Sequence, residues 1–178
     1  MGTSRDDPIY ALDGDDLLDG GSGNDELYGG LGNDEYLLGA GNDNVAEDGG
    51  DDAYFYDTGD GDDGISEYEG FDVLYFGAGI DPGDVIVTGD GDNYILSFDG
   101  AVGSVTIWGG AIEDYAIEEV RFANETVWTS EDLYDLAFGQ SQMAMFADFG
   151  GEGRAWLASG NLFLVNNQLD YGAQCQIA

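Results

Sequence analysis

Histidine and lysine are absent from this 178-residue chain, and its basic side chains are Arg5, Arg121 and Arg154. Without an imidazole there is no Ser-His or Cys-His couple and no zinc site with nitrogen ligands, which removes the commonest hydrolytic machinery. Against the three Arg stand 38 Asp and Glu, a formal net charge of -35 at pH 7. A surface so acidic lacks the basic footprint that nucleic acid and anionic membranes require. Cysteine occurs once, at Cys175, so no intramolecular disulfide can staple the fold, and no His is present to activate the thiol. No apolar stretch approaches the roughly 18 residues of a membrane-spanning helix. The opening Met1-Gly2-Thr3-Ser4 has neither the basic nor the apolar region of a signal peptide, and residues 1–8 read as a leader outside the fold.

Glycine is plentiful, at 31 residues, beside 43% hydrophobic and 13% aromatic residues. That aromatic content is too high for a disordered acidic tail, so part of the chain packs. The acids are unevenly spread, 24 of the 38 falling in residues 1–84, where a nine-residue repeat holds them in register. Gly20-Gly21-Ser22-Gly23-Asn24-Asp25-Glu26-Leu27-Tyr28 is followed directly by Gly29-Gly30-Leu31-Gly32-Asn33-Asp34-Glu35-Tyr36-Leu37, both of the form G-G-x-G-x-D-x-U-x with U large and apolar. A third copy, Leu38-Gly39-Ala40-Gly41-Asn42-Asp43-Asn44-Val45-Ala46, has Leu at its first position. Asp16, Asp25, Asp34, Asp43 and Asp52 keep the spacing. Gly14, Gly23, Gly32, Gly41 and Gly50 stand two before them, and Leu18, Leu27, Tyr36, Val45 and Tyr54 two after. The frame then slips by two residues and resumes at Gly61/Asp63/Ile65 and Gly70/Asp72/Leu74.

Each nonapeptide reads as a six-residue turn and a three-residue strand, with glycine supplying positive φ and U pointing inward. Two nonapeptides make one coil, so alternate turns stack at the strand spacing of roughly 4.8 Å. Asp16, Asp34, Asp52 and Asp72 then line one edge of a parallel β-roll, and Asp25, Asp43 and Asp63 the other. Carboxylates about 5 Å apart repel by roughly 3 kcal/mol at an effective dielectric of 20. One buried U side chain offers about 1.5–3 kcal/mol, less than the entropy of ordering nine residues. Divalent cations between stacked turns resolve both deficits. The donors are all oxygen, which selects a hard ion, and a flexible protein cage favours Ca²⁺ over Mg²⁺. The expected ligands are the side chains of those seven Asp and the carbonyls of Gly14, Gly21, Gly23, Gly30, Gly32, Gly39, Gly41, Gly50, Gly61 and Gly70, holding about five Ca²⁺ ions.

On these motifs residues 11–74 resemble the RTX (repeats-in-toxin) family, whose Ca²⁺-binding β-roll carries this nonapeptide. Residues 70–85 and Ile117–Trp128 are similar to the start and the closing hairpin of the haemolysin-type calcium-binding-related region of RTX proteins. The expected fold is all-β, a parallel β-roll over residues 9–79 capped by an antiparallel β region with a short helix over 80–137. Val85–Thr88, Tyr94–Phe98 and Val105–Trp108 read as cap strands, and Asp90, Asp92 and Asn93 as a hairpin turn rather than ligands. Asp81-Pro82 reads as a turn, Trp108 and Trp128 as core, and Ser130 as the N-cap of a helix running through Leu133, Leu136 and Ala137. Residues 138–178 form a tail for which the resemblance implies a type I secretion signal and a short helical segment at Ser141–Phe146. A final strand pair around Leu162–Val165 and foreign sequence are the alternatives.

No catalytic constellation stands out, because 38 carboxylates place some pair near a glycosidase's separation by chance. The resemblance implies a calcium-binding module of a larger secreted bacterial protein that folds on Ca²⁺ outside the cell and engages type I secretion machinery. It implies neither nucleic acid binding nor membrane insertion. The alternative is a carbohydrate- or surface-binding domain of an RTX adhesin.

Overall fold

A computed structural model describes residues 1–100, 102–111, 117–139, 154–158 and 161–165. Its first unit, Met1–Ala137, is a parallel roll because successive nonapeptides send their strands alternately to two sheets. β1 (Pro8–Asp13), β3 (Glu26–Leu31), β5 (Asn44–Ala46) and β7 (Asp62–Ser66) pair in parallel on one side. β2 (Leu17–Asp19), β4 (Glu35–Leu37), β6 (Ala53–Tyr56) and β8 (Val73–Phe76) pair in parallel on the other.

The register stacks like on like. Ile9, Leu27, Val45 and Ile65 are Cα partners in one sheet, and Leu18, Tyr36, Tyr54 and Leu74 in the other. From Leu18 to Leu74 every U side chain is buried, and the Tyr36 and Tyr54 rings stack at 5.0 Å. The register slip after Asp52 leaves this ladder intact. The two extra residues are absorbed by a turn in which Asp60 N–H donates to Asp57 O at 3.2 Å, and Val45 still faces Ile65.

The roll begins earlier than its glycines suggest. Ser22 N–H donates to Thr3 O at 3.0 Å, Asp7 N–H donates to Asp25 Oδ1 at 2.8 Å, and Ile9 pairs with Leu27. Residues 1–8, read above as a leader, thus form one more turn. Arg5 occupies the position that glycine holds in the other turns, which hides it.

The cap continues the roll before turning back. β11 (Ser104–Trp108) pairs in parallel with β7, and β12 (Glu119–Phe122) in parallel with β8, so Ile107 and Val120 extend the two buried columns. β9 (Val85–Asp90) and β10 (Asn93–Phe98) then close one sheet, and β13 (Val127–Thr129) the other, all antiparallel. Such closure covers the open edge of the last coil. Asp90–Asn93 is a hairpin turn as expected, with Asn93 Oδ1 accepting Gly109 N–H at 2.9 Å. Asp81 precedes a 3-10 turn at Pro82–Asp84.

Two cap assignments change. The helix α1 (Ser130–Tyr134) is capped by Thr129, not Ser130, because Thr129 and Asp132 exchange a capping box. Trp108 is 48% exposed and lies on the bare backbone of Gly64, outside the core, whereas Trp128 is half-buried edge-on to Phe122 at 4.7 Å. The second unit, Phe138–Ala178, contains an antiparallel pair, β14 (Arg154–Ala158) with β15 (Asn161–Val165), the strand pair that stood as an alternative for this tail. The Ser141–Phe146 segment lies outside the described residues.

Candidate metal centre

Strand alternation turns three residues of each nonapeptide inward: the Asp, the U residue two later, and the residue two beyond that. Asp43, Val45 and Glu47 are all buried, as are Asp63, Ile65 and Glu67. The Asp side chains are held by their neighbours in the stack. Oδ1 of Asp34, Asp43, Asp52, Asp63 and Asp72 accepts the backbone N–H of Asp16, Asp25, Asp34, Asp43 and Asp52, at 2.6–2.8 Å. A counter-ladder runs the other way, with Asn24, Asn33 and Asn42 Oδ1 accepting from Asn42, Asp51 and Asp62 at 2.9–3.2 Å. The cap terminates the first ladder, because Glu118 Oε2 accepts Asp72 N–H at 2.7 Å in place of a further repeat Asp.

One oxygen of each carboxylate is thereby spent, and the other is not. Oδ2 of Asp25, Asp34, Asp43, Asp52 and Asp63 is buried with no hydrogen-bond partner among the described residues. A buried anionic oxygen without a partner is costly, and cations or protons are the remedies. Burial pushes the carboxyls upward, Asp43 to about 6 and Asp52, Asp63 and Asp72 each to about 7, and like charges on adjacent coils add to the rise. Desolvation raises Asp34 as well.

Asp16, in the end coil, is half-buried and donates to the ladder, but its carboxylate accepts no ladder bond among the described residues. The expected glycines line the turns at positive φ, except Gly70. Gly32 (φ 138) illustrates the reason, since a Cβ there would strike the Gly14 carbonyl of the coil below. Some glycine carbonyls already have work: Gly21 O accepts Ala40 N–H at 2.9 Å, and Gly61 O accepts Ser104 N–H at 2.9 Å and Tyr56 O–H at 2.8 Å.

Two inward acids were missed from sequence. Glu47 and Glu67 occupy the first glycine position of their turns, each 1% exposed. Each accepts a tyrosine hydroxyl, from Tyr36 and Tyr54 respectively. Oxygens of Asp34, Glu47 and Asp52 lie within 4.8 Å of one another, and so do those of Asp52, Glu67 and Asp72. The only signal for them was phase: both stand four residues after a repeat Asp.

The donor set is carboxylate, carbonyl and hydroxyl oxygen, with no nitrogen or thiolate, which suits a hard divalent ion in an irregular cage. Comparison with sequence families agrees. Residues 1–36 match the RTX calcium-binding nonapeptide repeat (4 copies), and residues 93–132 match the haemolysin-type calcium binding protein related domain. The roll is thus similar in its repeats to the RTX calcium-binding nonapeptide. No curated protein matches it. The family match to the RTX roll begins at residue 1, in accord with the extra turn around Asp7. No helix among the described residues is long and apolar enough to cross a membrane.

Proposed function

We propose that this RTX roll is a calcium-driven folding module of a secreted protein, unfolded where Ca²⁺ is scarce and wound where it is abundant. The buried, unpartnered Oδ2 atoms carry the reading, because five acids aimed into a protein interior have no stable state without counter-charge. About five ions then fit the same-edge gaps Asp16/Asp34, Asp25/Asp43, Asp34/Asp52, Asp43/Asp63 and Asp52/Asp72, and the extra turn adds a sixth gap, Asp7/Asp25, with turn carbonyls completing each shell. Binding energy becomes folding energy. Extracellular Ca²⁺ modules work at roughly 10⁻⁴–10⁻³ M, so a chain that threads a secretion channel unfolded would fold on arrival outside.

Each ion orders backbone that forms half of the next gap, which makes folding cooperative. Circular dichroism against Ca²⁺ concentration tests this. The expected curve is sigmoidal with a Hill coefficient above about 2, and Mg²⁺ substitutes poorly because it dehydrates reluctantly. A chain fully folded in chelator at neutral pH or above, or folded fully by Mg²⁺, would overturn the reading.

A second reading, surface or glycan binding, draws on Tyr10 and Tyr28, whose rings stack at 4.6 Å and 4° on the outer face, with Tyr10 64% exposed. Flat exposed aromatics suit sugar stacking. Binding to a glycan array by the Ca²⁺-loaded chain, lost in Tyr10→Ala, would favour it.

A further inference from the structure

The edge that carries Asp16, Asp34, Asp52 and Asp72 differs from its opposite in chemistry. At the inward position two beyond the U residue, the strands that lead into its turns carry Gly29, Glu47 and Glu67, whereas those that lead into the turns of the opposite edge carry Gly20, Leu38 and Tyr56. Both triads, Asp34/Glu47/Asp52 and Asp52/Glu67/Asp72, bring their oxygens within 4.8 Å. More than crowding of acids is present, because Asp34 Oδ2 and Asp52 Oδ2, on residues 1% and 2% exposed, have no hydrogen-bond partner. Over the bare α-carbon of Gly29, Asp34 Oδ2, Glu47 Oε2 and the Tyr36 hydroxyl converge on the point where a Cβ would stand.

The glutamates are also held in place. Glu47 accepts the Tyr36 hydroxyl on Oε2 and the N–H groups of Asp48 and Gly49 on Oε1, at 2.7 and 3.1 Å. Glu67 accepts the Tyr54 hydroxyl on Oε2 and Tyr68 N–H on Oε1 at 2.8 Å. Neither carboxylate is left to swing toward solvent, and each oxygen keeps acceptor capacity beyond these bonds.

We propose that Glu47 and Glu67 are metal ligands that make the Asp34/Asp52 and Asp52/Asp72 gaps three-carboxylate sites, filled before the two-carboxylate gaps of the opposite edge. The inference rests on the calcium-roll reading and adds an order of filling to it. Five carboxylates surround two ions, with Asp52 shared between them. Ligand charge count tunes Ca²⁺ affinity across decades, and the high negative charge favours a trivalent lanthanide further. Folding then starts at the Asp52 coil and spreads to both ends.

Calorimetric titration of the full chain with Ca²⁺, paired with Tb³⁺ titration read by tyrosine-sensitised luminescence, tests the inference. The wild-type chain should resolve two ions bound about tenfold or more tightly than the rest. Glu47→Gln and Glu67→Gln, which keep the acceptor for the tyrosine, should each remove one ion from the tight class and leave the weaker class. A wild-type chain that binds Ca²⁺ in a single affinity class, or Gln variants that keep both tight ions, would overturn the role of the glutamates while leaving the roll standing. Absence of any Ca²⁺ binding by the wild type would overturn the roll itself. The class count in the wild type decides the matter even if a Gln variant does not fold.

Discussion

Asp52→Asn keeps the side chain's volume and the Oδ1 that accepts Asp34 N–H at 2.6 Å, and removes only charge. Asp52 belongs to both acidic triads and so to two ion gaps, whereas Asp16 borders one. An ion bound to the folded state alone stabilises it by RT ln(1 + [Ca²⁺]/Kd). At about 10 mM Ca²⁺ and Kd of roughly 10⁻⁴–10⁻³ M this is about 1.5–3 kcal/mol per site. Asp52→Asn should therefore cost about 3–5 kcal/mol in Ca²⁺ and Asp16→Asn about half as much. A domain's whole stability is about 5–15 kcal/mol, so Asp52→Asn should lower Tm by about 10–20 °C and Asp16→Asn by about 5–10 °C. Without metal the sign reverses, since each neighbouring carboxylate repels Asp52 by about 3 kcal/mol at an effective dielectric of 20. Thermal unfolding followed by circular dichroism at fixed Ca²⁺ compares the two variants. Equal losses, or a larger loss for Asp16→Asn, would refute the shared-ligand geometry.

Acidity should partly replace calcium. Folded Asp52, Asp63 and Asp72 hold their protons to about 7 against an ordinary 3.8, chiefly through burial. The folded chain thus binds more protons than the unfolded one between those values, so metal-free stability rises as pH falls from 7 to 4. Ca²⁺ affinity moves the opposite way and falls with pH, because ion and proton compete for the same oxygens. Strand signal in chelator that does not increase on acidification would contradict the burial of these acids. Gly32→Ala, forced to positive φ against the Gly14 carbonyl, should destabilise the Ca²⁺-loaded roll by about 1–3 kcal/mol in chemical denaturation. Glu118→Ala removes the acceptor for Asp72 N–H and should cost about 1–3 kcal/mol. If Glu118→Ala unfolded at the wild-type denaturant midpoint, the cap's carboxylate would have no part in ending the ladder.

The roll was legible because five Asp in strict register, each with Gly before and U after, leave one way to alternate buried and turn positions. What hid from the sequence did so for local reasons. The turn at Asp7 lacks its glycine at Arg5, and Glu47 and Glu67 pass for substitutions at a glycine site until alternation turns them inward. The register slip looked like a break, yet a four-residue turn at 57–60 absorbs it outside the ladder. The apolar run at Val105–Trp108 and the hairpin-like stretch Ile117–Trp128 announced strands without naming partners, so the parallel continuation into β11 and β12 emerged only in three dimensions. Trp108 ends its strand on the outer face, where Gly64 leaves room for it, and hydrophobicity alone could not choose that face.

Anomalous scattering from crystals of the chain grown in Ca²⁺ tests the central claim most directly, because it locates ions against named oxygens. The account predicts about six peaks, one in each same-edge gap from Asp7/Asp25 to Asp52/Asp72, contacting the Oδ2 atoms of Asp25, Asp34, Asp43, Asp52 and Asp63. A folded roll with those oxygens bound to water or protonated, and no calcium in the gaps, would contradict it.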